Sequence, residues 1–115
     1  MQISLITFFI TGFVFCVLSI PFIRRKVKIN SWYGIRLPKT MESKEVWYEV
    51  NAVMGRYMFG LGLLISCLSL YFMLNPTDPE FLMVYILLFI LIAGTILFVI
   101  LSFRISDKVG RKYSK

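Results

Sequence analysis

Residues capable of chemistry are few in this sequence, and apart from the charges that flank its long apolar runs they are found in one stretch, residues 29–55. The chain has no histidine, and its two cysteines, Cys16 and Cys67, lie inside long apolar runs where they count as small apolar residues. The sequence also has no glycine-rich loop followed by Lys and Ser or Thr, the pattern that cradles nucleotide phosphates. We therefore predict no catalytic residue, no metal site and no cofactor, and a protein that is not an enzyme.

Three carboxylates are the nearest approach to an acid–base or metal site. Glu42, Glu45 and Glu49 follow the spacing i, i+3, i+7, which places them on one face of a continuous helix. Lys44 lies beside them and the chain offers no imidazole, so we interpret this face as a solvated one.

The same segment holds side chains suited to turns and to binding. Asn30 and Gly34 suit a turn, and the fork-shaped guanidinium of Arg36 could hold a carboxylate, a phosphate or helix-end carbonyls. Asn51 lies on a helical stripe between Trp47 and Gly55, which predicts that it points into a helix bundle. The candidate binding residues are Asn30, Trp32, Tyr33, Gly34, Arg36, Pro38, Thr40, Trp47 and Asn51.

A structural role for this segment is the alternative, and both interpretations stay open on the sequence. Aromatic residues near a membrane commonly form a belt at the headgroup level, and Arg36 could simply pair with Glu42 or with a lipid phosphate.

The elements that position these residues are membrane-spanning helices. The chain is 58% hydrophobic and 17% charged, and residues 2–23, 57–74 and 81–103 contain no charged side chain. Crossing the hydrocarbon core takes about 20 apolar residues, in a range of roughly 17–25. We predict three spans at these positions. The first lacks the basic start and the small-residue cleavage site of a signal peptide, so we predict that it is retained.

The positive charges predict the orientation. All thirteen basic residues lie in the connection 24–56 or in the tail 104–115, whereas the connection 75–80 carries only Asp78 and Glu80. Because Lys and Arg are retained on the cytoplasmic side, the N-terminus is predicted outside and the C-terminus in the cytoplasm. Topology and contacts with anionic lipid headgroups account for the net charge of +7, so we predict no direct nucleic-acid binding.

The start of the second span is predicted to be an amphipathic cytoplasmic helix. Apolar residues recur there at helical spacing, and Thr40 or Ser43 could cap its N-terminus. It would enter the span either continuously or through a bend at Gly55. These apolar residues are Val46, Trp47, Val50, Val53, Met54 and Tyr57.

Small residues indicate how the spans pack. Gly62 and Ser66 form a small-xxx-small pair, which favours the second span at the centre of the bundle. Ser4, Thr7 and Thr11 form a stripe on the first span that would let a neighbouring helix approach. Residues 75–80, with two prolines, are predicted to form an external turn. The predicted fold is a single all-α membrane domain, residues 1–115, with three transmembrane helices and the amphipathic helix leading into the second.

A longer pattern in the connection resembles a known family. The sequence Asn30-x-Trp32-Tyr33-Gly34-x-Arg36-x-Pro38-Lys39-Thr40, followed by Glu45-Val46-Trp47-Tyr48-x-x-Asn51, resembles the signature of the SdpI/YfhL family of small bacterial membrane proteins. Positions 31, 37 and 52 depart from residues that members often carry. The resemblance implies a multi-pass protein of the bacterial plasma membrane that protects the cell against a secreted, membrane-active toxin peptide. In some members it also implies capture of a cytoplasmic transcriptional repressor.

The sequence and the resemblance together predict a non-enzymatic immunity protein. Its expected partners are membrane lipids, a toxin peptide, a cytoplasmic repressor where signalling accompanies immunity, and further copies of the chain. The alternative is a small oligomeric transporter or an accessory subunit of a membrane complex. Ionisable residues inside spans usually mark ion or proton paths, and these three spans contain no Asp, Glu, Lys, Arg or His.

Overall fold

The structure, a computed structural model, describes residues 2–30, 33–75 and 80–113 of the 115-residue chain. Within these ranges the secondary structure consists of four helices, α1 Gln2–Ile23, α2 Pro38–Glu42, α3 Lys44–Leu74 and α4 Glu80–Tyr113. Helices α1, α3 and α4 are each long and apolar enough to cross a membrane. The predicted all-α fold with three spans is confirmed.

The three long helices differ in length. At about 1.5 Å per residue, α1 with 22 residues is roughly 33 Å long, while α3 with 31 and α4 with 34 reach roughly 46 and 51 Å. The hydrocarbon core is about 30 Å thick, so α1 matches it and the other two extend about 15–20 Å beyond it. We call residues 26–37, between the turn that follows α1 and the start of α2, the loop. The loop end is the end of the bundle that contains the loop, the C-terminus of α1 and the start of α3.

Helix α3 is the central helix. It packs against both α1 and α4, whereas α1 and α4 make only marginal contact with each other. The predicted central position of the second span is therefore confirmed. The amphipathic start of α3 is confirmed as well, because Val46, Trp47, Val50 and Met54 are buried there. Val46, Val50 and Met54 form one apolar cluster with Val109 of α4.

Helices α1 and α3 approach most closely at glycine. A Cβ added to Gly62 would lie 2.5 Å from the backbone oxygen of Gly12, and one added to Gly12 would overlap the Ser66 hydroxyl. The Ser66 hydroxyl donates to the carbonyl of Phe9 at 3.0 Å. Gly62 and Ser66 thus pack at a helix crossing as predicted.

The closest approach of α1 to α3 is not at the predicted stripe of hydroxyl residues, Ser4, Thr7 and Thr11. Thr7 is exposed, and its hydroxyl donates to the carbonyl of Ile3 in the preceding turn. Thr11 donates in the same way to the carbonyl of Thr7. These hydroxyls satisfy themselves within their own helix, and the close contact with α3 is made at Gly12.

The start of α3 differs from the sequence prediction in one respect. Ser43 has φ −145° and ψ 135°, an extended conformation that separates α2 from α3. Glu42 therefore belongs to α2, and the prediction that it shares a helix face with Glu45 and Glu49 is wrong. Ser43 is the N-cap residue of α3, but its hydroxyl donates to the Glu45 carboxylate at 2.7 Å rather than accepting from a backbone N–H. From Lys44 onward α3 runs through Gly55 without a break.

The last helix continues past the predicted end of its span at residue 103, to Tyr113. Its final turns pack on the start of α3, where Glu49 Oε1 accepts from Lys112 Nζ at 3.3 Å and from the Tyr113 hydroxyl at 3.2 Å. The C-terminal turns of α4 therefore lie at the loop end. The prolines of the predicted external turn, at 76 and 79, lie outside the described residues.

Candidate functional site

The candidate site begins where α1 ends. The N–H of Arg25 donates to the carbonyl of Phe22 at 3.1 Å, and the N–H of Lys26 donates to the carbonyl of Pro21 at 2.9 Å. This pair of hydrogen bonds is a Schellman motif, with Arg25 at its left-handed position at φ 58°. The motif turns the chain back across the end of α1. Three exposed basic residues, Arg24, Arg25 and Lys26, directly follow this negative end of the helix dipole.

Trp47 anchors the chain that leaves this turn. Its indole is fully buried, and Nε1 donates to the carbonyl of Val27 at 2.7 Å. An indole N–H is a donor only and needs a partner when it is buried, and the Val27 carbonyl is such a partner. The contact fixes the residues after α1 against the first turns of α3.

Asn51 holds the other side of the loop. It is 4% exposed, which confirms that it points into the bundle. Its Oδ1 accepts from the N–H of Ile35 at 2.7 Å, and its Nδ2 donates to the carbonyl of Trp47 at 2.9 Å. The carboxamide thus joins the loop backbone to the α3 backbone.

Gly34 lies between these two anchors. Its φ is +101°, a conformation that side chains rarely adopt, and a Cβ there would lie 2.9 Å from Trp47 Cη2 and 3.0 Å from Asn51 Oδ1. Glycine is therefore required at this position for two reasons: the backbone has a positive φ, and there is no room for a Cβ.

Thr40 fastens the loop to α2. It is fully buried, and its Oγ1 accepts from the N–H of Leu37 at 2.9 Å. The same hydroxyl lies 2.7 Å from the carbonyl oxygen of Ile35 and 2.8 Å from that of Leu37, either of which accepts its single hydrogen. Pro38 opens α2, a position where its missing N–H has no consequence.

The remaining candidates are less buried. Asn30 forms a turn, with Oδ1 accepting from the N–H of Tyr33 at 2.9 Å and Nδ2 donating to the carbonyl of Lys28 at 2.8 Å. The ring of Tyr33 is 56% exposed and meets the edge of Phe22, with ring centroids 5.8 Å apart. Arg36 is exposed.

Trp32 lies outside the described residues. Of the other eight candidates, the structure brings Gly34, Thr40, Trp47 and Asn51 together under the loop. Arg36 and Pro38 lie on its surface.

Several residues at the site were not among the sequence candidates. Val27 and Ile35 take part through their backbone groups, so the type of their side chain gave no signal. Phe22 contacts both Tyr33 and the space beside Gly34, and it carried no signal beyond being apolar at a helix end.

A cleft of about 620 Å³ opens beside the loop, between α1, α3 and α4. Its lining side chains are apolar except for those of Asn51 and Tyr33. We call it the loop-end cleft. It is lined among others by Leu18, Phe22, Val27, Ile35, Met58 and Phe98.

One prediction follows from the Asn51 contacts. Asn51→Ala removes both hydrogen bonds and leaves the N–H of Ile35 and the carbonyl of Trp47 without these partners. We expect the free energy of unfolding to fall by about 2 kcal/mol. Titration of the micelle-solubilised protein with dodecyl sulfate, followed by tryptophan fluorescence, measures this change.

Asn75→Ala is the matched control for this substitution. Asn75 is exposed at the C-terminus of α3, where its Nδ2 donates to the carbonyl of Tyr71 at 3.2 Å. We expect a change within about 0.5 kcal/mol. An Asn51→Ala change no larger than the Asn75→Ala change would contradict the anchoring role of Asn51.

Three long apolar helices around a central α3, with a loop anchored at one end, define a small multi-pass helical membrane protein. The model of the SdpI/YfhL protein family matches residues 26–103, which include the loop, α2, all of α3 and most of α4. The chain belongs to the SdpI/YfhL family, as its loop motif indicated. No curated protein and no solved structure matches it.

Proposed function

We propose that this chain is an immunity protein of the bacterial plasma membrane that protects the cell against a secreted, membrane-active toxin peptide. The observation that carries the proposal is the family match over residues 26–103, which covers the anchored loop and the two helices that follow it. The lack of histidine and of a nucleotide-binding motif in the sequence agrees with a role in binding rather than in catalysis.

In this proposal the loop end faces the cytoplasm and the N-terminus lies outside. The contacts between Val109 and the start of α3 put the C-terminal turns of α4 on the same side as the loop. The described parts of the two basic segments, 24–56 and 104–113, are thus on one side, as the positive-inside rule requires.

The toxin peptide is proposed to bind the lipid-facing helix surfaces. The polar groups of Trp47 and Asn51 are engaged in holding the loop, so they are not available to a ligand. Large apolar side chains on the long helices are open to the bilayer instead, with Phe13 of α1 59% exposed and Phe89 of α4 72% exposed. A peptide dissolved in the membrane reaches them without crossing a polar barrier.

Capture of a cytoplasmic repressor is proposed at the part of α3 and α4 that extends past the membrane. A groove of about 820 Å³ runs between the two helices there, lined in part by Glu49, Lys108, Arg111 and Lys112. Its basic walls favour an acidic surface on the partner. A pull-down with the purified membrane protein tests this contact separately from immunity.

Survival of a toxin-sensitive bacterium tests the central proposal. Cells that express the chain should survive a concentration of the cognate peptide that kills cells without it. The protein must also be shown in the membrane fraction by immunoblotting. Killing at the same concentration, with the protein present in the membrane, would refute the immunity role.

Arg36→Ala tests whether the exposed surface of the loop takes part in protection. If it does, the variant protein should accumulate in the membrane while protection is lost. Lys44→Ala, another exposed cation at the loop end, should leave protection intact. Disappearance of the Arg36→Ala protein from the membrane would instead assign Arg36 a structural role.

A further inference from the structure

The loop-end cleft lies at a defined depth in the bilayer. Helix α1 is long enough to cross the hydrocarbon core once and little more, so its C-terminus is at the membrane surface. Leu18, Pro21 and Phe22, which line the cleft, belong to the last turns of α1. The cleft therefore lies just beneath the headgroups, at the depth of the first part of the acyl chains.

The interior of the cleft suits a hydrocarbon chain. Both polar atoms of the Asn51 carboxamide are bonded within the protein, so this side chain presents no unsatisfied group. Met58 and Phe98 form apolar walls, and exposed Leu18 marks the side open to lipid. A volume of about 620 Å³ falls in the usual range for bound small molecules, roughly 300–1,000 Å³.

The chain segment between two of the lining residues of the cleft is basic, and we call this segment the rim. Arg24, Arg25 and Lys26 are exposed and occupy the short stretch between Phe22 and Val27, both of which line the cleft. The left-handed backbone at Arg25 is one that glycine or asparagine adopts more easily. The chain thus carries an arginine at a strained position, at the level of the lipid phosphates.

We propose that the loop-end cleft binds one anionic phospholipid. An acyl chain lies in the cleft, and the phosphate is held by Arg24, Arg25 and Lys26. The charge of the rim selects for net negative headgroups, and the apolar walls select for a lipid over a free anion. This inference is independent of toxin immunity, because it concerns a lipid site and is tested without a toxin.

Native mass spectrometry of the full chain in micelles tests the proposal. Phosphatidylglycerol and phosphatidylcholine with identical acyl chains are titrated separately. We expect one phosphatidylglycerol to bind at least about tenfold more tightly than phosphatidylcholine, since each basic residue near a phosphate adds attraction for an anionic lipid. Equal affinities for the two lipids would overturn the proposal.

Two sets of variants locate the site. The triple variant Arg24→Gln, Arg25→Asn and Lys26→Gln removes the rim charges, and asparagine keeps the left-handed backbone available. Phosphatidylglycerol should then bind about tenfold more weakly. The matched control is the triple variant Lys44→Gln, Arg104→Gln and Lys108→Gln, which removes three other exposed charges of the loop end and should bind as the original chain does. Equal losses in the two triple variants would refute a localised site.

Filling the cleft gives a second test that keeps every charge. Leu18→Trp puts a large side chain at the open side of the cleft, and Leu63→Trp changes a similarly exposed residue of α3 outside it. Only Leu18→Trp should weaken binding of both lipids. Far-ultraviolet circular dichroism confirms that each variant is folded. The lipid assignment would be overturned if folded Leu18→Trp bound both lipids as the original chain does. It would also be overturned if two copies of the chain formed a dimer whenever lipid was lost from the cleft.

Discussion

Gly34→Ala is expected to destabilise the loop end by about 3 kcal/mol or more. The residue has φ +101°, where a side chain is strained, and strain of this kind costs about 1–3 kcal/mol. The added Cβ also meets Trp47, Asn51 and Phe22 at 2.9–3.0 Å, and overpacking costs a further 1–3 kcal/mol or so. Asn51 and Trp47 hold the loop, so their displacement releases it. Dodecyl sulfate titration followed by near-ultraviolet circular dichroism of the tryptophans measures the loss.

Gly60→Ala is the control for this prediction. A Cβ at Gly60 meets no atom within 4 Å, and the residue lies inside α3. Alanine favours a helix over glycine by up to about 1 kcal/mol, so this substitution should be neutral or stabilising. A Gly34→Ala protein as stable as Gly60→Ala would show that the loop does not need glycine at position 34.

Gly12→Ala should separate α1 from α3. The new methyl group would overlap both the Ser66 hydroxyl and the backbone carbonyl of Gly62. A backbone carbonyl in a helix has no rotamer to change, so the two helices must move apart and lose the Ser66–Phe9 hydrogen bond. We expect a loss of about 2–3 kcal/mol in the same titration, with a larger loss for Gly12→Val.

A double variant distinguishes the two sources of this overlap. Adding Ser66→Ala to Gly12→Ala removes the hydroxyl but leaves the Gly62 carbonyl in place. We therefore expect little or no recovery of stability. Full recovery would mean that the side chain of Ser66, rather than the close approach of the two backbones, sets the spacing of α1 and α3.

The sequence predicted the features that depend on neighbouring residues. Uncharged apolar runs determine spans because lipid can solvate only such runs, and the period of Val46, Val50 and Met54 determines the buried face of α3. The inward direction of Asn51 followed from the same period.

The features that the sequence did not predict depend on contacts between distant residues. The partner of Asn51 is a backbone N–H sixteen positions away, and it becomes a partner only once the loop has turned over α3. The close contact of α1 is at Gly12 instead of the stripe Ser4, Thr7 and Thr11, because residue size alone does not show which face of α1 meets a neighbour. Ser43 separates α2 from α3, which a helical spacing of Glu42, Glu45 and Glu49 could not show.

The central position of α3 has a consequence for communication within the protein. Since α1 and α4 make only marginal contact, a displacement of one can influence the other mainly through α3 and the loop attached to it. An event in the bilayer at α1 would therefore be transmitted through the Gly12–Gly62 crossing to the segment of α3 that carries Trp47 and Glu49. Lys112 and Tyr113 bind Glu49, so such a displacement would reach the C-terminal turns of α4. Mechanical coupling between α1 and α4 therefore depends on α3.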